Sequence, residues 1–330
     1  MRETSTETFD VVVLAGTDDN PRRLIAGENK AFLPMHGRPL VRFVVEALLE
    51  AGRIDRVFVV GPRERLEATL EGLPRVHTVA QVGRMVRNAW AGIRASRGQG
   101  AASAPEGGAA ERPLLVLTCD IPLISGAAID DFIDRCLAEE RRTGRAFAMH
   151  CGIVEERSLV PYYPGEGRPG IERPYVEIRE GRYRLANIYL GRPHGIRHQD
   201  LLDTGFNHRK AKDWRNVLRL AWTFLGRSGS WRAMWFTLRL QATLMAAGRN
   251  GWLYRKLRSG NTERHIEGLV SELLGGPVNL VETPYGGLSL DVDEEEDYRV
   301  LSARLEDWRD IDPTPIPEKA PPRGAEPDEA

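Results

Sequence analysis

Residues 11–40 read VVVLAGTDDNPRRLIAGENKAFLPMHGRPL, and the first six of them decide the fold. Four consecutive aliphatic residues, Val11, Val12, Val13 and Leu14, read as a strand buried on both faces, the mark of a parallel sheet. Ala15 and Gly16 stand where such a strand hands over to a loop, and ligands of open α/β sheets bind at that carboxyl edge. The same punctuation recurs downstream. Residues 41–51 carry apolar side chains at helical spacing, 56–61 and 76–82 read as strands, 84–96 as a helix, 113–119 as a strand and 127–137 as a helix. Strands alternating with helices predict an α/β fold built on a doubly wound, mostly parallel sheet.

Composition narrows the classes of function. The chain has 330 residues, 42% of them apolar, which is ample for a core. A net charge of −1 gives no global basic field, so a nucleic-acid partner is not expected. Cys119, Cys136 and Cys151 are odd in number and far apart, which argues against a disulfide framework or a zinc cluster and fits a reducing cytoplasm. No signal peptide and no integral membrane segment are expected.

The expected organisation has the α/β domain in two pieces, 9–197 and 276–308. Residues 98–112 (GQGAASAPEGGAAER) are too poor in apolar side chains to pack and read as a mobile loop. Residues 198–275 read as a helical insertion or lid near the C-terminus, since Trp214, Val217, Leu218, Ala221 and Leu225, then Trp231, Met234, Trp235, Leu238, Ala242 and Met245, recur at helical spacing. Its Trp-rich, Arg-rich composition would also suit a membrane surface, but core packing is the commoner use of such stripes. Residues 1–8 and the Pro-rich tail 309–330 are expected to be disordered.

The opening loop lacks both the GxxxxGK[ST] of a P-loop and the GxGxxG of a dinucleotide fold. It does hold Gly16, which allows loop amides to approach an anion, with Arg22, Arg23 and Lys30 as cations suited to phosphates. A second constellation is TCDIPLIS at 118–125. Asp120 follows an aliphatic strand at the same edge, where a hard cation such as Mg²⁺ takes oxygen ligands. Pro122 stiffens the turn, and Ser125 is placed to cap the next helix. A third is LSLDVDEEEDY at 288–298, with Asp291 and Asp293 on a short expected strand sharing one face, and Glu294 to Glu296 as charges at a helix N-terminus.

Together these stretches resemble a known family. LAG, an Arg-Leu pair and NKAFLPMHGRPLV are similar to the LAGG…RL…K…L…GRPL signature of the GT-A-like nucleotidyltransferases, the MobA-like group above all. TCDIPLI resembles their strand-end aspartate, LDVDEEEDY their late DVDTPEDL segment, and VGRMVRNAWAGI at 82–93 their G…N helix. Thr17 stands where the family has a second glycine, and the turn after it is longer and acidic, with Asp18 and Asp19.

The resemblance implies roles residue by residue. Ala15, Gly16 and Thr17 would wrap the nucleotide through their backbone, with Gly83 and Asn88 beside base and ribose. Arg23 and Lys30 would hold the triphosphate and stabilise charge on the α-phosphate, while Asp120 and Asp293 would ligate Mg²⁺, Asp291 being the lesser candidate. The implied partners are an NTP, CTP or GTP favoured, and a small phosphate or hydroxyl acceptor, for which Arg173, Tyr175, Asn187, Arg209 and Lys210 are candidate contacts. Two alternatives stay open: a GT-A glycosyltransferase using DVD as its metal motif, and a catalytically silent nucleotide-binding protein with an altered loop.

Overall fold

A computed structural model of the chain describes residues 7–17, 24–98, 111–198 and 251–317, with positions 235, 238, 239, 242 and 243. Its strands are β1 (Phe9–Leu14), β2 (Pro34–Met35), β3 (Arg38–Pro39), β4 (Ile54–Gly61), β5 (Val76–Ala80), β6 (Leu114–Thr118), β7 (Met149–Glu155), β8 (Val176–Glu177), β9 (Arg182–Gly191) and β10 (Val278–Glu282). The helices are α1 (Leu40–Glu50), α2 (Arg63–Thr69), α3 (Met85–Ser96), α4 (Gly126–Thr143), α5 (Trp252–Gly260), α6 (Glu263–Leu274) and α7 (Glu295–Arg309). One sheet has the order β10-β7-β9-β6-β1-β4-β5, with β8 beside β9, and β2 and β3 form a separate hairpin. β5, β4, β1 and β6 are mutually parallel, as are β7 and β10, while β9 runs antiparallel to both β6 and β7.

The winding follows from which side of β1 each residue faces. Val11 and Val13 join one core with α1 and α4, while Val12 packs with Phe58, Val60 and, from α3, Ile93 on the other face. Helices therefore cover both faces, and the chain crosses from β5 back over β1 to β6. That reversal opens a crevice at the carboxyl ends of β1 and β6, the place where such sheets bind ligands.

Gly92 lets α3 lie close. A Cβ there would fall 2.5 Å from Val12 Cγ1 and 2.9 Å from Val60 Cγ2. Because α3 also carries Asn88 one turn earlier, the glycine sets the distance between that side chain and the loop after β1. Gly92→Val should cost at least about 2 kcal/mol by overpacking, read as a fall in the urea midpoint. A variant as stable as the parent would show that α3 is not held by this contact.

Three expectations need correction. Residues 290–293 form no strand: a 3-10 turn at Gly286–Ser289 leads into irregular chain, and α7 starts at Glu295 with Glu294 as its cap. The end of the expected loop 98–112 is anchored, since Glu111 is buried and its carboxylate accepts from His194 N at 2.9 Å; residues 99–110 lie outside the described residues. The tail is ordered further than its composition suggests, with Ile311 packed on the core and Thr314 N donating to Pro284 O at 3.2 Å. The insertion is described only in part. Within it α6 packs Ile266, Val270 and Leu274 against β7 and β10, and α5 is tied to β8 by the Tyr254 hydroxyl on Glu177 and to the next residue by Arg258 Nε donating to Ile178 O at 2.8 Å.

Candidate active site

Parallel pairing of β1 with β6 puts Leu14 level with Thr118, so the loop after β1 and Asp120 leave the sheet side by side. Cys119 N extends the ladder by one bond to Leu14 O, at 3.2 Å, before the chain turns at Asp120. Ile124 N closes the turn onto Ile121 O, and Ser125 caps α4 by accepting from Ala128 N at 3.2 Å, as its position in the sequence predicts.

The late segment is fixed against this turn by sterics and by one main-chain bond. Gly287 sits so close to Leu123 that a Cβ would lie 2.7 Å from Leu123 Cβ. Val292 N donates to Asp120 O at 2.9 Å, and the Val292 side chain is buried. Asp291 and Asp293, one on either side of it, bring their carboxylates to Asp120: ligand atoms of all three lie within 4.8 Å of one another, close enough to hold one metal ion. Asp120 Oδ1 is buried and has no hydrogen-bond partner. Asp297 holds the position of Asp293, its Oδ2 accepting from Asp293 N at 3.1 Å and Glu294 N at 2.8 Å in a capping box.

Lys30 enters the cluster from the other side. Asn29 caps the 3-10 turn Lys30–Phe32 by accepting from Ala31 N at 3.1 Å, and its amide donates to Ala15 O at 3.1 Å, tying the loop's return to its departure. Lys30 Nζ is thereby placed 3.3 Å from Asp120 Oδ2 and 3.1 Å from Asp293 Oδ1. Burial alone would lower the affinity of this amine for its proton, but Asp120 and Asp293, with Asp291 behind them, hold its pKa above the ordinary lysine value.

Gly16 is required by crowding and not by an unusual backbone angle. A Cβ on it would meet Asn88 Nδ2 at 2.7 Å and Gln81 Oε1 at 2.9 Å. Gln81 Oε1 accepts from Thr17 N at 3.1 Å, and Asn88 Oδ1 accepts from Val82 N at 2.8 Å and Gly83 N at 3.2 Å. Gly83 does need its freedom, with φ at +145°.

The structure thus gathers Ala15, Gly16, Thr17, Lys30, Gly83, Asn88, Asp120 and Asp293 along one edge, while Arg22 and Arg23 lie outside the described residues. Reading the sequence named neither Asn29 nor Gln81 and placed Asp291 behind Asp293, whereas the structure brings both carboxylates to Asp120. Among the acceptor candidates, Arg173 pairs with Asp297 and so supports the cap of α7, and Tyr175 is buried with its hydroxyl on that of Tyr163. Asn187 is buried, and Arg209 and Lys210 are outside the described residues. Arg184, which sequence reading passed over, reaches within 4.0 Å of Asp291 Oδ1 and donates to Ser289 Oγ at 3.2 Å.

Residues 11–173 match the family described as the MobA-like NTP transferase domain. Over 72 residues, 22% of its length, the chain is 39% identical to 2-C-methyl-D-erythritol 4-phosphate cytidylyltransferase of Nocardia farcinica, and this stretch spans about a third of that relative (31%). A hypothetical transferase from Thermus thermophilus superposes with a TM-score of 0.59 at 22% identity, covering 88% of this chain and 99% of that one. A 4-diphosphocytidyl-2C-methyl-D-erythritol synthase from Anaerococcus prevotii superposes at 0.45 and 11% identity, covering 91% and 97%. The match to the MobA-like NTP transferase domain thus covers residues 11–173, just under half the length of the chain.

Proposed function

We propose that the chain is a Mg²⁺-dependent nucleotidyltransferase that moves a nucleoside monophosphate from an NTP to a phosphate or hydroxyl acceptor and releases pyrophosphate. The observation that carries this reading is the meeting of Asp120, Asp291 and Asp293 around Lys30 at the carboxyl edge of β1 and β6. A set of carboxylate oxygens suits a hard divalent cation, and the unpartnered Asp120 Oδ1 is the atom such a cation would satisfy. Asp120 and Asp293, with Asp291 as a third candidate, would hold Mg²⁺, which when bound neutralises charge on the transferring phosphate.

The chain's own residues supply orientation and charge. Lys30 leaves its carboxylates to donate to the α-phosphate oxygens, and Arg23 serves the triphosphate. Backbone groups of Ala15, Gly16 and Thr17 line the nucleotide, with Gly83 and Asn88 beside its base and ribose. Nucleotidyl transfer needs no covalent help from the protein: the acceptor oxygen attacks the α-phosphorus in line, and the bond to the departing pyrophosphate breaks. We propose further that residues 198–275, of which 199–250 lie largely outside the described residues, serve the acceptor side as a cover. CTP is the first nucleotide to test, because the matched stretch of the Nocardia relative belongs to a cytidylyltransferase; GTP is the second.

Melting curves with each of the four NTPs, with and without Mg²⁺, test the reading. One NTP should raise the melting temperature when Mg²⁺ is present, by the equivalent of about 2.7 kcal/mol at a hundredfold excess over Kd. No shift with any NTP at millimolar concentration would sink it.

A further inference from the structure

Trp235 and Trp252 are each 68% exposed, against the burial that aromatic side chains at helical spacing usually find. Trp252 opens α5, and Arg255, Lys256 and Ser259 are exposed along the same stripe of that helix. Lys256 Nζ lies 5.8 Å from the centre of the Trp252 ring. The opposite side of α5 does the docking, through Tyr254 on Glu177 and Arg258 on Ile178 O. The Trp-and-basic stripe is therefore left facing outward by the packing of the described residues.

The sequence around it is as unusual as the face. Residues 209–258 hold 12 Lys and Arg against one acidic residue, Asp213, and five of the chain's seven Trp, whereas the whole chain balances 46 basic against 47 acidic residues. No described helix is long and apolar enough to cross a membrane. A helix with exposed Trp beside clustered cations has the chemistry of one that lies on an anionic surface: the indole ring settles between headgroup and acyl chain, and the cations pair with lipid phosphates and carboxylates.

We infer that the Trp252–Arg255–Lys256 face of α5 is a peripheral docking surface for a bilayer containing anionic lipid. A single-stranded nucleic acid would also accept Trp and cations, but it uses isolated rings in a groove. Here Trp252 stands on the same outward stripe of one helix as Arg255 and Lys256, 68% exposed, and not as a ring set into a groove. Since α5 is tied to β8, and β8 pairs with the start of β9, docking holds the carboxyl edge of the sheet, and with it the crevice, beside the bilayer. The inference does not depend on nucleotidyl transfer.

Sedimentation of the full chain with phosphatidylcholine vesicles, with and without phosphatidylserine, tests it. The parent protein should bind only the phosphatidylserine vesicles and bind them less at high salt. The triple variant Trp252→Ala, Arg255→Glu, Lys256→Glu changes exposed side chains only, so it should melt like the parent yet bind at least about tenfold more weakly. Should that variant fail to fold, Trp252→Ala alone and quenching of the parent's Trp fluorescence by brominated lipid give the same information. Equal binding to both vesicles, a triple variant that binds like the parent, absence of quenching, or preference for a short single-stranded RNA over vesicles would each overturn the inference.

Discussion

Asp120→Asn and Asp293→Asn should each lower pyrophosphate release by at least about 100-fold, the scale of removing one preorganised electrostatic group. Both carboxylates face the same point, and Lys30 touches both, at 3.3 and 3.1 Å. Groups that act on one ion as a unit lose their effects non-additively, so the double variant should be little worse than the poorer single one. Asp291→Asn belongs in the same series. Sequence reading ranked it as the tolerant neighbour, but its carboxylate lies in the cluster and is the most buried of the three, so it should lose activity as well. Mn²⁺ binding in each variant separates metal loss from misfolding: weaker binding with an unchanged melting temperature is the expected pair of results. Lys30→Met should do the opposite to the metal, tightening Mn²⁺ binding to the free protein because an internal cation has been removed, while turnover falls. Three aspartate variants with full activity would place the metal elsewhere.

The second large effect concerns stability at the far end of the sheet. Arg192, at the end of β9, is buried, and its guanidinium holds the Glu140 carboxylate with both terminal nitrogens, one at 2.9 Å and the other closer at 2.5 Å. It also donates to Glu111 O and Phe147 O, each at 2.9 Å. Burial pushes the Glu140 carboxyl up, but hydrogen bonds from His150, Arg192 and Phe147 N outweigh it and bring its pKa down to about 2. A depressed carboxylate contributes stability above its ordinary titration range and loses it as pH falls from there toward 2. Arg192→Ala should therefore cost about 3 kcal/mol near neutral pH, the low end for breaking a buried pair because Glu140 keeps some contact with water. It should also flatten the acid limb of the stability curve. Urea melts of parent and variant between pH 3 and pH 7, an interval chosen to span ordinary carboxylate titration, check both. A variant whose loss is constant across that interval would show that the Glu140 pairing is not what Arg192 contributes.

How far the sequence carries can be judged from particular residues. β1, β4 and β6 are legible because the stretch of a strand buried on both faces must be apolar, as at residues 11–14, 57–60 and 114–117, and Asp120 and Ser125 are legible because strand ends and helix caps impose local chemistry. β9 is not legible in that way. It runs antiparallel between β6 and β7, and only the pairing of segments distant in the chain, such as Leu117 with Ile188, places it. The same limit left Asp291 ranked behind Asp293. Its approach to Asp120 depends on Gly287 closing on Leu123 and on the bond from Val292 N to Asp120 O, contacts across more than 160 residues that no local pattern announces. Asn29 left a local signal, a capping side chain just before a short turn; Gln81 left none, since its role is to fill the space beside Gly16.

The most direct test of the central claim is pyrophosphate release from each NTP with Mg²⁺, in the presence of a protein-free extract of small metabolites as the source of acceptor. The parent protein should release pyrophosphate from one NTP, CTP first among them, and stop when the metal is chelated or when Asp120→Asn replaces it. Release from no NTP, or release that Asp120→Asn leaves intact, would contradict the account.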